Sequence, residues 1–432
     1  MTEISRKTDS RIHQERAALI GVQTPRQIWD NLEELNRLAD TAGAKVCFKL
    51  TQKRHHQDIK TYLGRGKVEE LAQGIKDHDI DTVIVDDDLS PGQVKNLEKA
   101  LCLKVVDRTE LILDIFATHA RTRQSKIQVE LAQLQYASTR LKRLWTHLER
   151  QEGVGGIATR GPGEKQLEMD RRLISRRLRD LKRQLLEVER QAKRSRQSRR
   201  GLFRVSIVGY TNAGKSTLMR ALTGEKVVVQ DKLFATLDTL TRNMDSRWPP
   251  VLLSDTVGFI RKLPRHLLDS FRSTLSEVVE SDLIVELVDA SDEDYGSRQE
   301  VVDRILHSIG TKKVPKVRVY NKIDKLPRDK YDQLIAAQKS HIFVSAYSGK
   351  GIEEFRDYLH QMARKEACPV SVEVAASEGA WVADLKKWDH EGSGRWLGDK
   401  LHMNLFLPES EVVRYQGVKQ ITLEKKTEFS EF

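Results

Sequence analysis

Apolar residues fall along this chain in two rhythms that exchange places several times. Short apolar runs bounded by turn residues occur at 46–50, 82–85 and 104–106, and between them apolar positions return every three or four residues over 28–38, 68–75 and 91–101. The short runs read as buried strands and the longer spacing as helices, so their alternation predicts a small parallel α/β domain within residues 1–118. Two long helical patterns follow, one over 127–150 (Ile127, Leu131, Leu134, Leu141, Leu144, Leu148) and one through Leu173, Leu178, Leu181, Leu185 and Val188. Residues 119–200 therefore predict an antiparallel helical hairpin with its tip at 151–168. Strand-like runs return at 205–208, 251–253, 317–320 and 341–344, giving residues 201–367 the pattern of a mostly parallel sheet with helices on both faces. Beyond them, strands at 372–375, 403–407 and 421–424 and a short helix at 379–385 predict a small α+β appendage over 368–432.

The chemistry sits where the apolar runs of the third segment end. After 205–208 comes Gly209-Tyr210-Thr211-Asn212-Ala213-Gly214-Lys215-Ser216, followed by Thr217 and a helical pattern. This strand, loop and helix order is the context of a P-loop. Gly209 and Gly214 let backbone amides close on phosphate oxygens, Lys215 brings a point charge to the terminal phosphates, and Ser216 offers a hydroxyl to Mg2+. Asp255 closes the run 251–253, within reach of the same metal through water, and Gly258 supplies an amide for a third phosphate.

Asn321-Lys322-Ile323-Asp324 closes the run 317–320 and selects the base. A carboxylate at Asp324 can accept from both N–H groups on the guanine edge, whereas adenine leaves that acceptor partly unpaired, which a buried site penalises. Ser345-Ala346, after 341–344, offers a backbone amide to the guanine carbonyl. The ordered set implies a P-loop GTPase that takes GTP or GDP with Mg2+.

Three positions in this set keep alternative readings. Within Phe234 to Thr241, Thr236 is the candidate Mg2+ ligand and, with Lys215, the candidate catalytic group, with Thr239 behind it; both also fit ordinary strand threonines. Asn212 fits a ligand for K+ beside the phosphates, or a loop asparagine that tolerates its backbone angles. Phe259 follows Gly258 where Ras-type GTPases place the glutamine that orients the attacking water, and a phenyl ring cannot do that. Slow basal hydrolysis is the expectation, with the water positioned by a backbone group, another domain or a partner.

Charge changes the picture of the hairpin. Of the net +11, thirteen Lys and Arg residues lie between Arg171 and Arg200 against Asp180, Glu187 and Glu189. One face of that helix is apolar and the rest basic, a pattern that fits RNA or a solvated face. The tip, Gly153 to Glu168, is rich in glycine, with Arg160 as its charged centre and Lys165 nearby. Three scattered cysteines without metal spacing indicate neither a disulfide framework nor a zinc site, and no run approaches twenty apolar residues. Asp86-Asp-Asp88 fits an acidic turn or a metal site, and Gly64-Arg-Gly-Lys67 a helix cap or a second phosphate site. The expected setting is a cytoplasmic monomer that requires no membrane.

At this point the chain resembles a known family. Gln128 to Leu134, Gly161-Pro-Gly-Glu164, Leu233 to Asp238 and Asp255 to Ile260, with Tyr62 to Lys67, Leu89-Ser-Pro91 and Asp107 to Ile112, look like the HflX family of translational GTPases. The resemblance covers residues 15–367. It implies binding to the large ribosomal subunit, with the N-terminal domain and hairpin reaching rRNA near the peptidyl transferase centre. It also implies the splitting of stalled or idle ribosomes, notably during heat stress, with Arg160 and Lys165 as candidate rRNA contacts. The alternative is a GTP-dependent RNA-binding or RNA-remodelling enzyme acting away from ribosomes. The chain departs from the family pattern at Lys165, at Thr239 and at Ala137-Ser-Thr139.

Overall fold

A computed structural model describes residues 14–25, 31–151, 162–197, 202–224, 240–245, 249–264, 270–337, 341–389 and 392–425, with residues 233, 234, 238, 247 and 267. The chain divides into two compact units, residues 1–182 with 262–270, and residues 183–261 with 271–432. The division falls inside the segment 119–200, and residues 262–270 of the segment 201–367 belong to the first unit.

The first unit is built on a parallel four-stranded sheet in the order β2-β1-β3-β4. Its strands are β1 (Arg16–Gln23), β2 (Lys45–Lys53), β3 (Thr82–Val85) and β4 (Lys104–Val106), and its helices α1 (Glu33–Ala42), α2 (Arg65–Asp77), α3 (Pro91–Leu101) and α4 (Arg108–His119). The apolar pattern anticipated β2 to β4 and α1 to α3 but passed over β1. Six consecutive residues of β1 are buried, so it carries no alternation to mark it. Helix α3 starts where it does because Ser90 and Gln93 form a reciprocal capping box and Pro91 sits in the first turn. Gly64 is the N-cap of α2, which accounts for the Gly-Arg-Gly-Lys stretch as a helix start.

The acidic turn after β3 is taken up by protein donors. Arg108 Nη1 lies 2.7 Å from Asp86, the Tyr62 hydroxyl donates to Asp87 at 2.7 Å, and Thr109 Oγ1 donates to Asp88. Lys262 places Nζ 2.7 Å from both Asp86 and Asp87. Among the described residues no group of three His, Cys, Asp or Glu side chains could hold a metal.

Helices α5 (Arg123–Gln151) and α6 (Pro162–Gln197) form the predicted pair, joined by Arg177 and Glu130 at 2.7 Å. Helix α6 begins at Pro162, so the expected tip of 151–168 is shorter than the glycine content indicates; proline suits a first turn, where no amide is needed. Asp107 fixes the root of α5 to α4. It caps α4 through Glu110 N–H, accepts from the Tyr136 hydroxyl at 2.6 Å and pairs with Arg140 at 2.9 Å. Ala137-Ser-Thr139 lies between those two partners.

The second unit carries a six-stranded sheet in the order β10-β9-β8-β5-β7-β6, parallel except for β6. Its strands are β5 (Phe203–Gly209), β6 (Leu240–Asn243), β7 (Val251–Asp255), β8 (Leu283–Asp289), β9 (Lys316–Asn321) and β10 (Ile342–Phe343). Helices α7 (Lys215–Thr223), α8 (Arg272–Val279), α9 (Tyr295–Ile309), α10 (Arg328–Ala337) and α11 (Ile352–Glu366) accompany it. The core runs through Val205, Ile207, Leu253, Val285, Val319 and Phe355, all buried. The carboxyl ends of β5, β7, β8 and β9 thereby emerge together, the usual ligand edge of such sheets.

The last segment follows the order β11 (Cys368–Ala375), α12 (Gly379–Lys386), β12 (Arg395–Leu397), β13 (Lys400–Leu407), α13 (Glu409–Gln416) and β14 (Ile421–Lys425). Its antiparallel sheet, β12-β13-β11-β14, gives the ferredoxin-like βαββαβ arrangement. Trp388 donates to the Tyr415 hydroxyl at 3.2 Å and Trp381 packs against the same core, whereas Trp396 is half exposed on the edge strand.

Candidate functional site

Strand β5 delivers the chain to Gly209, the loop turns through Asn212 at φ 62° and Gly214 at φ 94°, and α7 begins at Lys215 with Ser216 and Thr217 in its first turn. Asparagine tolerates the left-handed region, which accounts for Asn212 without a cation. A side chain at position 214 would collide with Asn321 Nδ2, so glycine is required there. The first-turn amides of α7 and the positive end of its dipole face the loop.

Lys215 is buried and donates to the carbonyls of Gly209 and Tyr210, at 3.2 and 3.0 Å. Burial pushes its pKa down to about 8; Asp255 opposes that shift and Lys322 adds to it. A cation held in this way gains strongly from an anion brought beside it. Ser216 Oγ donates to Asp255 Oδ2 at 2.8 Å, which sets a hydroxyl and a carboxylate side by side. Two hard oxygens suit Mg2+, which Ser216 would ligate with Asp255 close by. Thr236 and Thr239 lie outside the described residues.

Beyond Asp255 the chain folds back onto the loop. Thr256 Oγ1 donates to Ile207 O at 2.8 Å, Phe259 N–H to Gly209 O at 3.1 Å, and Thr211 N–H to Phe259 O at 2.8 Å. A side chain at Gly258 would come within 2.7 Å of Thr211 Cγ2 and 3.0 Å of Lys215 Nζ. The Phe259 side chain is buried. Its part here is to hold the segment, with the ring turned into the core.

The base end is organised by Asn321. Its Nδ2 donates to Ala213 O at 2.8 Å and its Oδ1 accepts from Ala346 N–H at 3.0 Å, so one amide ties the loop, β9 and the Ser-Ala turn together. Lys322 takes φ 64° and donates to Asp289 Oδ2 at 2.7 Å. Ser345 Oγ donates to Asp324 Oδ1 at 2.5 Å and accepts from Ser348 N–H at 3.1 Å. Ser345 thus works through its hydroxyl, on Asp324, and the Ala346 amide expected to face guanine bonds here to Asn321. Sequence reasoning missed Asp289, although a carboxylate closing the apolar strand β8 repeats the signal that marked Asp255.

Of the candidate RNA contacts, Arg160 lies outside the described residues, and Lys165 falls in α6 with its side chain outside them. Along α6, Arg171, Arg172, Arg176, Arg177 and Arg179 are exposed and Leu181 is buried. Leu173 and Leu186 are exposed beside those arginines.

Comparison with known proteins places these parts in one frame. Residues 29–117 match the family model described as GTP-binding GTPase N-terminal, 119–199 the GTP-binding GTPase middle region, and 204–322 the 50S ribosome-binding GTPase model. The chain is 41% identical over 380 residues to the GTPase HflX of Flavobacterium psychrophilum, covering 82% of this chain and 92% of that one. It is 45% identical over 355 residues to the GTPase HflX of Magnetococcus marinus, 82% of each chain. With the GTPase HflX of Escherichia coli it shares 40% identity over 373 residues, 84% of this chain and 87% of the other.

Proposed function

We propose, from the premise that this chain belongs to the HflX family of GTPases, that it binds the large ribosomal subunit in its GTP form and separates stalled or idle ribosomes into subunits. The chain binds GTP and hydrolyses it to GDP and phosphate. The observation that carries the ribosomal reading is the match of residues 204–322 to a 50S ribosome-binding GTPase model, in a chain whose α6 presents a basic face. Arginines along a helix suit phosphate oxygens of a large RNA, and the glycine-rich tip with Arg160 and Lys165 is assigned the rRNA near the peptidyl transferase centre.

Within the nucleotide site, the amides from Gly209 to Ser216 and the Lys215 ammonium hold the phosphates. Ser216 and Thr236 would hold Mg2+, with Asp255 supporting the site. Asp324 accepts from the guanine edge, Asn321 and Lys322 fix the walls of the base site, and the Ala346 amide is shared between Asn321 and the guanine carbonyl. The metal supplies charge neutralisation on the phosphates as the bond to the third one breaks. No side chain at position 259 can orient water, so basal hydrolysis is slow and rises when the ribosome is bound.

Sedimentation with purified ribosomal subunits, in a non-hydrolysable GTP analogue and in GDP, tests the reading. The protein is expected to travel with the large subunit in the analogue and to be released in GDP. Intact ribosomes given the protein and GTP are expected to sediment as separate subunits. Absence of large-subunit binding in both nucleotides, with RNA binding retained, would favour an RNA-remodelling enzyme acting elsewhere.

A further inference from the structure

We infer that Tyr210 is a positioning residue for GTP hydrolysis, its phenol fixing the segment after Gly258 against the phosphate loop. The backbone of Tyr210 belongs to the loop, since its carbonyl accepts from Lys215. Its side chain leaves the loop altogether. The ring is buried and its hydroxyl accepts from Arg261 N–H at 2.9 Å. Around it, Gly209 O accepts from Phe259 N–H and Thr211 N–H donates to Phe259 O, so residues 259–261 are held to three consecutive loop residues. Two of those three attachments are main chain to main chain. The third depends on the residue at 210, because only a side chain with an acceptor at that reach can meet the amide of residue 261.

The ring itself is held from α9. The Arg298 guanidinium lies over it, 5.1 Å from its centroid, and Arg298 is paired with Asp292. A cation over an aromatic face is attractive, and a guanidinium anchored by a carboxylate keeps its plane. The ring also borders a small cavity of about 20 Å³ lined by Asp292, Tyr295 and Arg298.

The consequence for the reaction follows from where the segment is held. Gly258 stands directly over Thr211 and Lys215, beside the ammonium that meets the terminal phosphates. Phe259 offers no polar atom beyond its main chain. The main chain of 258–261, or a group docked against it, is then what places the attacking water at this edge in this reading, and either depends on where that segment stands. A small displacement is costly in such an arrangement, because the reacting atoms must be held in near-attack geometry. The phosphate loop itself is not altered by losing the hydroxyl, so nucleotide affinity should be insensitive to it. This role goes beyond the GTPase activity and rests on it.

Single-turnover GTP hydrolysis and nucleotide titrations on the full chain carrying Tyr210→Phe test the inference, read together with hydrogen exchange across 259–264. Hydrolysis is expected to slow about fivefold, the loss of one partly buried hydrogen bond. GTP and GDP affinities should stay within about twofold, and exchange protection should fall at Arg261 while persisting at Thr211 and Phe259. Arg298→Met, which keeps the hydroxyl but removes the cation over the ring, should slow hydrolysis by about twofold in the same direction. Unchanged hydrolysis and unchanged exchange in Tyr210→Phe would overturn the inference. So would an equal loss of GTP and GDP affinity with lowered thermal stability, which marks a purely structural role. Wild-type protein measured alongside separates these outcomes from a failure of the GTPase reading, since that failure would leave the wild type without turnover.

Discussion

The two ends of the nucleotide site are held by different means. At the base end, side chains bond to one another or to fixed backbone: Asn321 to Ala213 and Ala346, Ser345 to Asp324, Lys322 to Asp289. At the third-phosphate end the attachments of Phe259 are main chain to main chain, supplemented by one phenol. Side-chain networks anchored on sheet ends fix identity, because each donor has a partner that must be broken to admit a wrong base. Main-chain attachments on a loop fix position while leaving room for the loop to move. In the proposed site, recognition of guanine and timing of hydrolysis fall to separate physical devices.

Substitutions can sharpen that separation. Lys215→Ala should have the largest effect, since it removes a buried ammonium and its charge-assisted bonds; GTP and GDP affinities should fall at least about 100-fold. Calorimetric or fluorescent nucleotide titration measures it, and unchanged affinity would contradict the phosphate-loop assignment. Asp324→Asn should act on the base alone, weakening guanine binding by about 100-fold and reducing the preference over adenine, with phosphate contacts intact. Competition between GTP, XTP and ATP reads the change, and an undiminished guanine preference would break the comparison.

A third test uses pH. The ligand-free Lys215 ammonium titrates near pH 8 because burial disfavours its charge, and bound phosphates restore the charged form. Below about pH 8 the ammonium is already protonated and affinity should not change with pH through this group. Above it, binding requires proton uptake, so GTP affinity should fall with a slope approaching about tenfold per pH unit. The dependence belongs to the phosphate end, and Lys215→Ala should remove it. Phe259→Ala should produce the smallest effect, a change in turnover of only a few-fold, because the ring is buried and carries no polar atom. A collapse of hydrolysis to the level of the Lys215 variant would give that ring a direct role.

How much of this was readable beforehand follows the same division. Phosphate and guanine chemistry demand particular residue types at fixed spacing within one contiguous stretch, so Gly209 to Ser216 and Asn321 to Asp324 could be found without coordinates. Tyr210 with Arg261, Lys322 with Asp289, and Ser345 with Asp324 depend on residues brought together by the sheet, and no local spacing announces them. The same reasoning explains the misses in the fold. Strand β1 is buried on both faces and lacks alternation, and β12 is a three-residue edge strand too short to carry a period. The helical start at Pro162 was concealed by glycines on either side of it, which read as loop although the first turn accepts them.

Asn321 has a consequence for folding as well as for recognition. Its two bonds join residues 213, 321 and 346, which come together only when β5, β9 and β10 have taken their places in one sheet. Guanine nucleotides are therefore ligands of the folded sheet and not of the open chain. By mass action, a nucleotide present at about 100 times its Kd adds about 2.7 kcal/mol to the stability of that sheet. Heating the protein with and without GDP measures how much of its resistance to unfolding comes from the bound nucleotide.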